Sequence, residues 1–264
     1  MDYSRYQQLQ VTQDGRVVTV TLNRPEVKNA INGELHHELG TIFWDLDRDD
    51  GCDVVILTGA GNCFSAGGDL TWVRSMCGNP VTSAAANRVG RRVQNTLLDL
   101  EKPIIAKVRG PAIGLGCSLS LFCDFVYATP DAVFADPHVS VGLVAGDGGA
   151  IIWPQLIGYA RARRYLLTGD TIRGAEAAAI GLITEAVADG ELDEVVAKMA
   201  ARLVGGAKYA IKWTKMSINA GLKVMANAIL GTATMSENLT QMTNDNRIAT
   251  EAFAAKKKPT FTGS

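Results

Sequence analysis

Apolar positions in the first half of the chain follow two rhythms. Residues 16–22 (RVVTVTL) alternate at a period of two, which predicts a half-buried strand. The loop Asn23-Arg-Pro-Glu follows, and residues 31–47 then place apolar side chains at helical spacing. Residues 54–58 (VVILT) form a short, fully apolar strand stopped by Gly59-Ala-Gly-Asn. Helices are expected over 70–76 and 84–100, and a strand over 103–108 (PIIAKV) that ends at Gly110-Pro111. Two further strands, 125–128 and 132–134, flank the turn Thr129-Pro-Asp. Strands alternating with helices in this way predict an α/β layered core with parallel strands. Beyond about residue 148 the pattern becomes alanine-rich and helical, over 160–168, 175–180, 192–203, 207–218 and 238–255, with Gly205-Gly206 as the clearest break.

Composition narrows the class. Of 264 residues 47% are apolar, enough for a sizeable core, and 26 basic against 27 acidic side chains leave a net charge of −1. Such a balance supplies no global attraction to nucleic acid or to anionic membrane. The start MDYSRYQQLQ has no signal-peptide core, and no apolar run reaches the roughly 18 residues of a membrane span. The expectation is a cytoplasmic globular protein. The five cysteines are irregularly spaced without a C-x-x-C pair, which suggests free buried thiols and neither a disulfide framework nor a zinc site. His36 and His37 are adjacent in a predicted helix and cannot form an i,i+4 metal pair, so no metal is expected.

Candidate chemistry gathers on glycine-rich turns. Cys63-Phe-Ser-Ala-Gly67-Gly68-Asp69-Leu70 and Gly110-Pro-Ala-Ile-Gly114-Leu-Gly116-Cys-Ser118 each follow a predicted strand and precede a predicted helix. Helix N-termini carry unpaired N–H groups and partial positive charge. Two that converge would stabilise an oxygen gaining negative charge, and tight packing is the alternative reading of such turns. Neither stretch matches the G-x-G-x-x-G or G-x-x-x-x-G-K-[ST] phosphate loops. A third loop, Gly142-Leu-Val-Ala-Gly146-Asp147-Gly148-Gly149, follows His138, and its Asp147 is readable as a helix cap. A Ser118–His138–Asp147 nucleophilic triad is conceivable, although Gly116-Cys-Ser118-Leu-Ser120 is one glycine short of the G-x-S-x-G elbow. A His138–Asp147 pair, the carboxylate orienting the imidazole, is more economical.

These residues together resemble the enoyl-CoA hydratase/isomerase (crotonase) family over nearly the whole chain. Asn23-Arg-Pro-Glu-Val-Lys28-Asn-Ala30 resembles its N-terminal loop, and Phe64-Ser-Ala-Gly67-Gly68-Asp69-Leu70 its F-x-A-G-x-D-[LI] element. Gly110 to Ser118, continuing to Cys123-Asp124, resembles G-x-A-x-G-G-G-x-E-L…CD. Leu167-Thr-Gly-Asp170 with AEAAAIGL resembles L-T-G…A-x-x-G-L, and Glu251-Ala-Phe253 to Pro259 the family's ending.

The resemblance implies a crotonase-like ββα spiral core over 1–200 and a helical trimerisation region over 201–264, in a homotrimer or a hexamer made of two trimers. It implies an acyl-CoA thioester substrate, coenzyme A arriving as part of that substrate, and no permanently bound cofactor. Backbone oxyanion donors fall on Gly68 and Leu115, the latter where the family usually has glycine. Coenzyme A contacts fall on Lys28, Ala66, Asp69, Phe253 and Lys256. The two glutamates that move protons in the family's hydratases fall here on Ser118 and His138, so neither carboxylate is present. His138, with Asp147, is the expected replacement. Hydration, isomerisation and C–C hydrolysis of a β-diketone or β-ketoacyl substrate all stay open, as does a non-catalytic acyl-CoA-binding oligomer.

Overall fold

The computed structural model describes all 264 residues. The chain opens with a hairpin, β1 (Leu9–Asp14) and β2 (Val17–Leu22), turned by Gly15 at φ 54° and paired antiparallel. Only β2 alternates clearly between buried and half-buried positions, which is why β1 lacks a sequence signal. A 3-10 turn at Pro25–Val27 leads to α1 (Gly33–Arg48), capped by the Asn32 side chain, which accepts from the Leu35 N–H at 2.8 Å. β3 (Val54–Gly59) runs parallel to β2. The two expected helices, α2 (Leu70–Met76) and α3 (Pro80–Asp99), follow, each with a polar side-chain cap, Asp69 and Asn79.

β4 (Ile104–Val108) and the unforeseen β5 (Pro111–Ile113) precede the short α4 (Leu115–Leu121). Then come β6 (Phe125–Ala128), β7 (Val133–Ala135), a 3-10 turn at His138–Val141 and α5 (Gly149–Thr168). The last is longer than the 160–168 expected and contains a non-helical residue, Gly158 at φ 75°. β8 (Ile172–Arg173), α6 (Gly174–Ala179), β9 (Glu185–Ala186) and α7 (Asp189–Val204) complete the core. The strands form a six-stranded sheet in the order β1-β2-β3-β4-β6-β9, parallel except at its first pair, and a three-stranded sheet β5-β7-β8.

A core of 44 buried residues joins the sheets to α1, α3, α4 and α5. A smaller cluster (Val54, Ile105, Tyr127, Leu192, Val196) packs α7 against the large sheet. Two helices end the chain, α8 (Lys208–Gln241) and α9 (Asn244–Ala254). α8 continues well past residue 218 because Ala226 and Leu230 bury into the main core, so Gly221 and Gly231 do not end it. The single helix expected over 238–255 is two, since Thr243 leaves helical geometry and caps α9 through the Asn246 N–H. Lys215 fastens α8 to the sheet: its Nζ lies 2.8 Å from Asp124 Oδ2 and donates to the Lys102 carbonyl at 2.8 Å. No helix is long and apolar enough to cross a membrane.

Candidate active site

The turn before α2 is held residue by residue, with one gap. Ser65 N–H donates to the Pro111 carbonyl and Ala66 N–H to that of Lys28, both at 2.9 Å; Ile31 N–H donates to the Gly67 carbonyl and Asp69 N–H to that of Ile31. Gly67 N–H reaches Ser65 Oγ at 3.2 Å. Between them the Gly68 N–H has no protein acceptor. Gly67 has to be glycine, because φ is 86° and a Cβ would stand 2.9 Å from the Ile113 carbonyl oxygen.

The turn before α4 leaves a second free donor. Gly114, at φ 53°, spends its N–H on the Ala135 carbonyl, and α4 begins at Leu115. Leu115 is therefore a first-turn residue, and its N–H has no intrahelical acceptor and no other protein partner. Gly68 and Leu115 both line one cavity of about 240 Å³. Ala66, His138, Asp147 and Phe253 line it too.

His138 begins the 3-10 turn after β7. Its Nδ1 is hydrogen-bonded to the buried carboxylate of Asp136, and its Nε2 lies 3.4 Å from Asp147 Oδ2. Burial alone would pull the imidazole down; the two carboxylates outweigh it and hold His138 well above its ordinary value. Asp147 is pushed up by burial, opposed by the His138 charge and by the hydroxyl of Ser118, which donates to its Oδ1 at 3.0 Å. The result is a ring with a carboxyl group at each nitrogen, Asp136 at Nδ1 and Asp147 at Nε2, on the wall of the cavity.

The arrangement departs from the expected pair. The ring nitrogen fixed by a close carboxylate belongs to the Asp136 bond, and Asp147 stands at the opposite nitrogen. Gly148 occupies the N-cap of α5, so Asp147 stands one residue before it, with its carboxyl group also held by Ser118 and facing His138. Ser118 is buried, points at Asp147 and does not line the cavity, so no Ser–His contact of a nucleophilic triad exists. The donor atoms of Asp136, His138 and Asp147 lie within 4.8 Å of one another. With Nδ1 engaged by Asp136, only Nε2 and Asp147 face outward, fewer than the three protein ligands usual for a catalytic zinc.

The expected coenzyme A residues divide. Ala66 and Phe253 line the cavity, and Phe253 is largely exposed. Lys28 and Lys256 are exposed on left-handed turns outside the lining. Asp69 is engaged elsewhere, capping α2 and pairing with Arg24 at 3.3 Å.

Two residues carry no catalytic signal in the local pattern yet line the cavity, and a third supports it from behind. His36, buried on α1 against Trp72, is held down to about 4 by burial and is neutral. Glu237 comes from α8. Asp136, two residues before His138, is buried behind the ring and does not line the cavity.

A family model described as enoyl-CoA hydratase/isomerase matches residues 12–264. Short-chain-enoyl-CoA hydratase of Clostridium acetobutylicum is 33% identical over 246 residues, covering 93% of this chain and 94% of that protein. Among solved structures, an enoyl-CoA hydratase/isomerase from Mycobacterium paratuberculosis superposes with a TM-score of 0.91 at 34% identity, covering 94% and 99% of the two chains. A β-diketone hydrolase from Anabaena sp. PCC 7120 superposes with a TM-score of 0.85 at 28% identity, covering 90% and 96%.

Proposed function

Since the chain belongs to the enoyl-CoA hydratase/isomerase family, we propose that it processes an acyl-CoA thioester through an enolate whose oxygen is held by the Gly68 and Leu115 N–H groups. The observation that carries this reading is the pair of unused amides opening on one cavity beside His138. One such donor is worth about 3 kcal/mol in a developing oxyanion. Leu115 supports the role as well as glycine would, because the donor is backbone; its side chain bears on pocket width.

His138 is the proton-transfer group. Asp136 fixes the ring and Asp147 faces its second nitrogen, so the resting imidazolium is set to give a proton to the bound acyl group. Ser118 acts through Asp147, keeping one of its oxygens turned from the ring. Coenzyme A enters with the substrate, and the chemistry calls on no resident cofactor. Phe253 at the cavity rim and the exposed Lys28 and Lys256 suit the nucleotide end of that ligand. Exposed apolar residues along α8, among them Trp213, Ile218 and Leu239, support a homotrimer or a hexamer of two trimers.

A second reading is C–C hydrolysis of a β-dicarbonyl acyl group. It is favoured by the imidazole standing where hydratases of the family carry a carboxylate, and by the likeness to the Anabaena hydrolase. One panel separates the two. Crotonyl-CoA gaining one water marks hydration, and a linear β-ketoacyl-CoA split into two fragments marks C–C cleavage. With whichever substrate turns over, His138→Asn lowers kcat by about 100-fold or more with KM little changed. A folded His138→Asn enzyme with full kcat contradicts the assignment.

A further inference from the structure

We propose that Glu237, delivered by the C-terminal helix α8, is the catalytic base of this site, complementary to the proton donor His138. The inference rests on the thioester-enolate reading above and names the group that reading leaves open, the acceptor of the substrate proton.

Four acidic residues are buried: Asp45, Asp49, Asp136 and Glu237. Three have partners. Asp45 accepts from Tyr6 and Arg5, Asp49 from Tyr3, and Asp136 is bonded to His138. Glu237 is 8% exposed, yet its carboxylate has no hydrogen bond and no ion pair, and it lines the cavity shared by Gly68, Leu115 and His138. A carboxylate stripped of most of its hydration, without a protein partner and open only to the cavity, costs stability, and a purely structural position would suit a neutral side chain better. The fold also makes room for it: a Cβ on Gly146 would collide with Oε2, so the glycine loop carrying Asp147 is shaped around this carboxyl.

Burial lifts Glu237 to about 7, and the nearby His138 cation keeps it from rising further. Near neutrality it is therefore divided between carboxylate and acid, the condition in which a base is strong enough to act and still ionised. Its surroundings are His138 and Asp136 from the β7 end, Asp147 from the glycine loop, His36 from α1 and Arg91 from α3. Asp147 is a poorer acceptor, because both its oxygens are engaged, by Ser118 and by His138.

The step balances within the site. The α-C–H bond of a bound acyl thioester breaks, its electron pair moves into the thioester as an enolate on the two amides, and the proton passes to Glu237. Reversal after exchange with solvent restores the thioester. Butyryl-CoA in D2O therefore gains α-deuterium, read by mass spectrometry, without any assumption about the physiological reaction.

Glu237→Gln keeps the shape and removes the base. It is expected to slow exchange about 100-fold or more. Calorimetric affinity for butyryl-CoA stays within about threefold, and the rate loses the limb near pH 7. Glu237→Asp, with the carboxyl withdrawn by one methylene, recovers part of the rate. Wild-type exchange in Glu237→Gln overturns the proposal and leaves the enolate reading standing. A native protein that binds butyryl-CoA and exchanges nothing at any pH overturns the enolate reading itself, and this base with it.

Discussion

At the scale of single residues, the site is a set of groups held away from their ordinary protonation. Glu237 titrates at about 7 when folded, against 4.5 for a free glutamate. An acid raised in this way costs nothing below pH 4.5, where both states are protonated. The cost grows as pH rises from 4.5 to 7, because only the unfolded chain releases its proton, and it is constant above 7. The difference is about 3 kcal/mol. Glu237→Gln should accordingly be near wild type in stability at pH 4.5 and more stable at pH 7.5, measured by urea unfolding across that window. A pH-independent difference would place the carboxyl in water. His138 has the opposite sign: its raised value stabilises the fold at low pH, and that contribution fades as pH climbs through the folded-state value. Residue identities were partly legible before the structure. His138 and Asp147 stood out as an isolated histidine and an aspartate among glycines. Glu237 did not, because it sits far along the chain in an otherwise ordinary helix and reaches the cavity only through the packing of α8.

At the scale of elements, two short turns and one long helix place the chemistry. The strand–glycine–helix pattern made both turns readable as possible donors, since the first N–H groups of a helix are unpaired by construction. Whether they met over one cavity depended on how β5 and the Cys63–Asp69 stretch pair, through Ser65 and Ala112, which no local pattern encodes. β5, β8 and β9 are two or three residues long and lie below what alternation can reveal. Overextension failed the other way: residues 238–255 have continuous helical composition, and only the Thr243 cap divides them. α8 is secured by Lys215 on Asp124, whose carboxyl is itself raised by burial. Lys215→Ala leaves that half-exposed carboxylate with only the Ile104 N–H as a partner and should destabilise the protein by about 1–2 kcal/mol, seen as a lower urea midpoint. The double variant Lys215→Ala/Asp124→Asn should recover part of the loss. An unchanged midpoint in the single variant would show that apolar packing alone holds α8.

At the scale of the whole molecule, the family motifs in order along the chain were sufficient for the α/β core and its helical end, because they fall at the strand–helix junctions of the core and on the C-terminal helix. They were less informative about the chemistry, since a backbone N–H is the same whatever the side chain, whereas Ser118 and His138 are side-chain identities that the motifs leave open. The exposed apolar side of α8, with the Tyr209 and Trp213 rings tilted against each other at a centroid distance of 5.4 Å, belongs to this scale too. Light scattering should give a mass three or six times that of the chain, and Trp213→Glu with Ile218→Glu should lower it. A monomeric wild-type protein at micromolar concentration would contradict the assembly. The central claim lies in the two amides, and it is tested most directly by a crystal structure with butyryl-CoA bound. The thioester oxygen should lie roughly 3 Å from both the Gly68 and the Leu115 nitrogens. An acyl group whose carbonyl points away from them, or a turn in which either amide has closed onto a protein acceptor, would contradict the account.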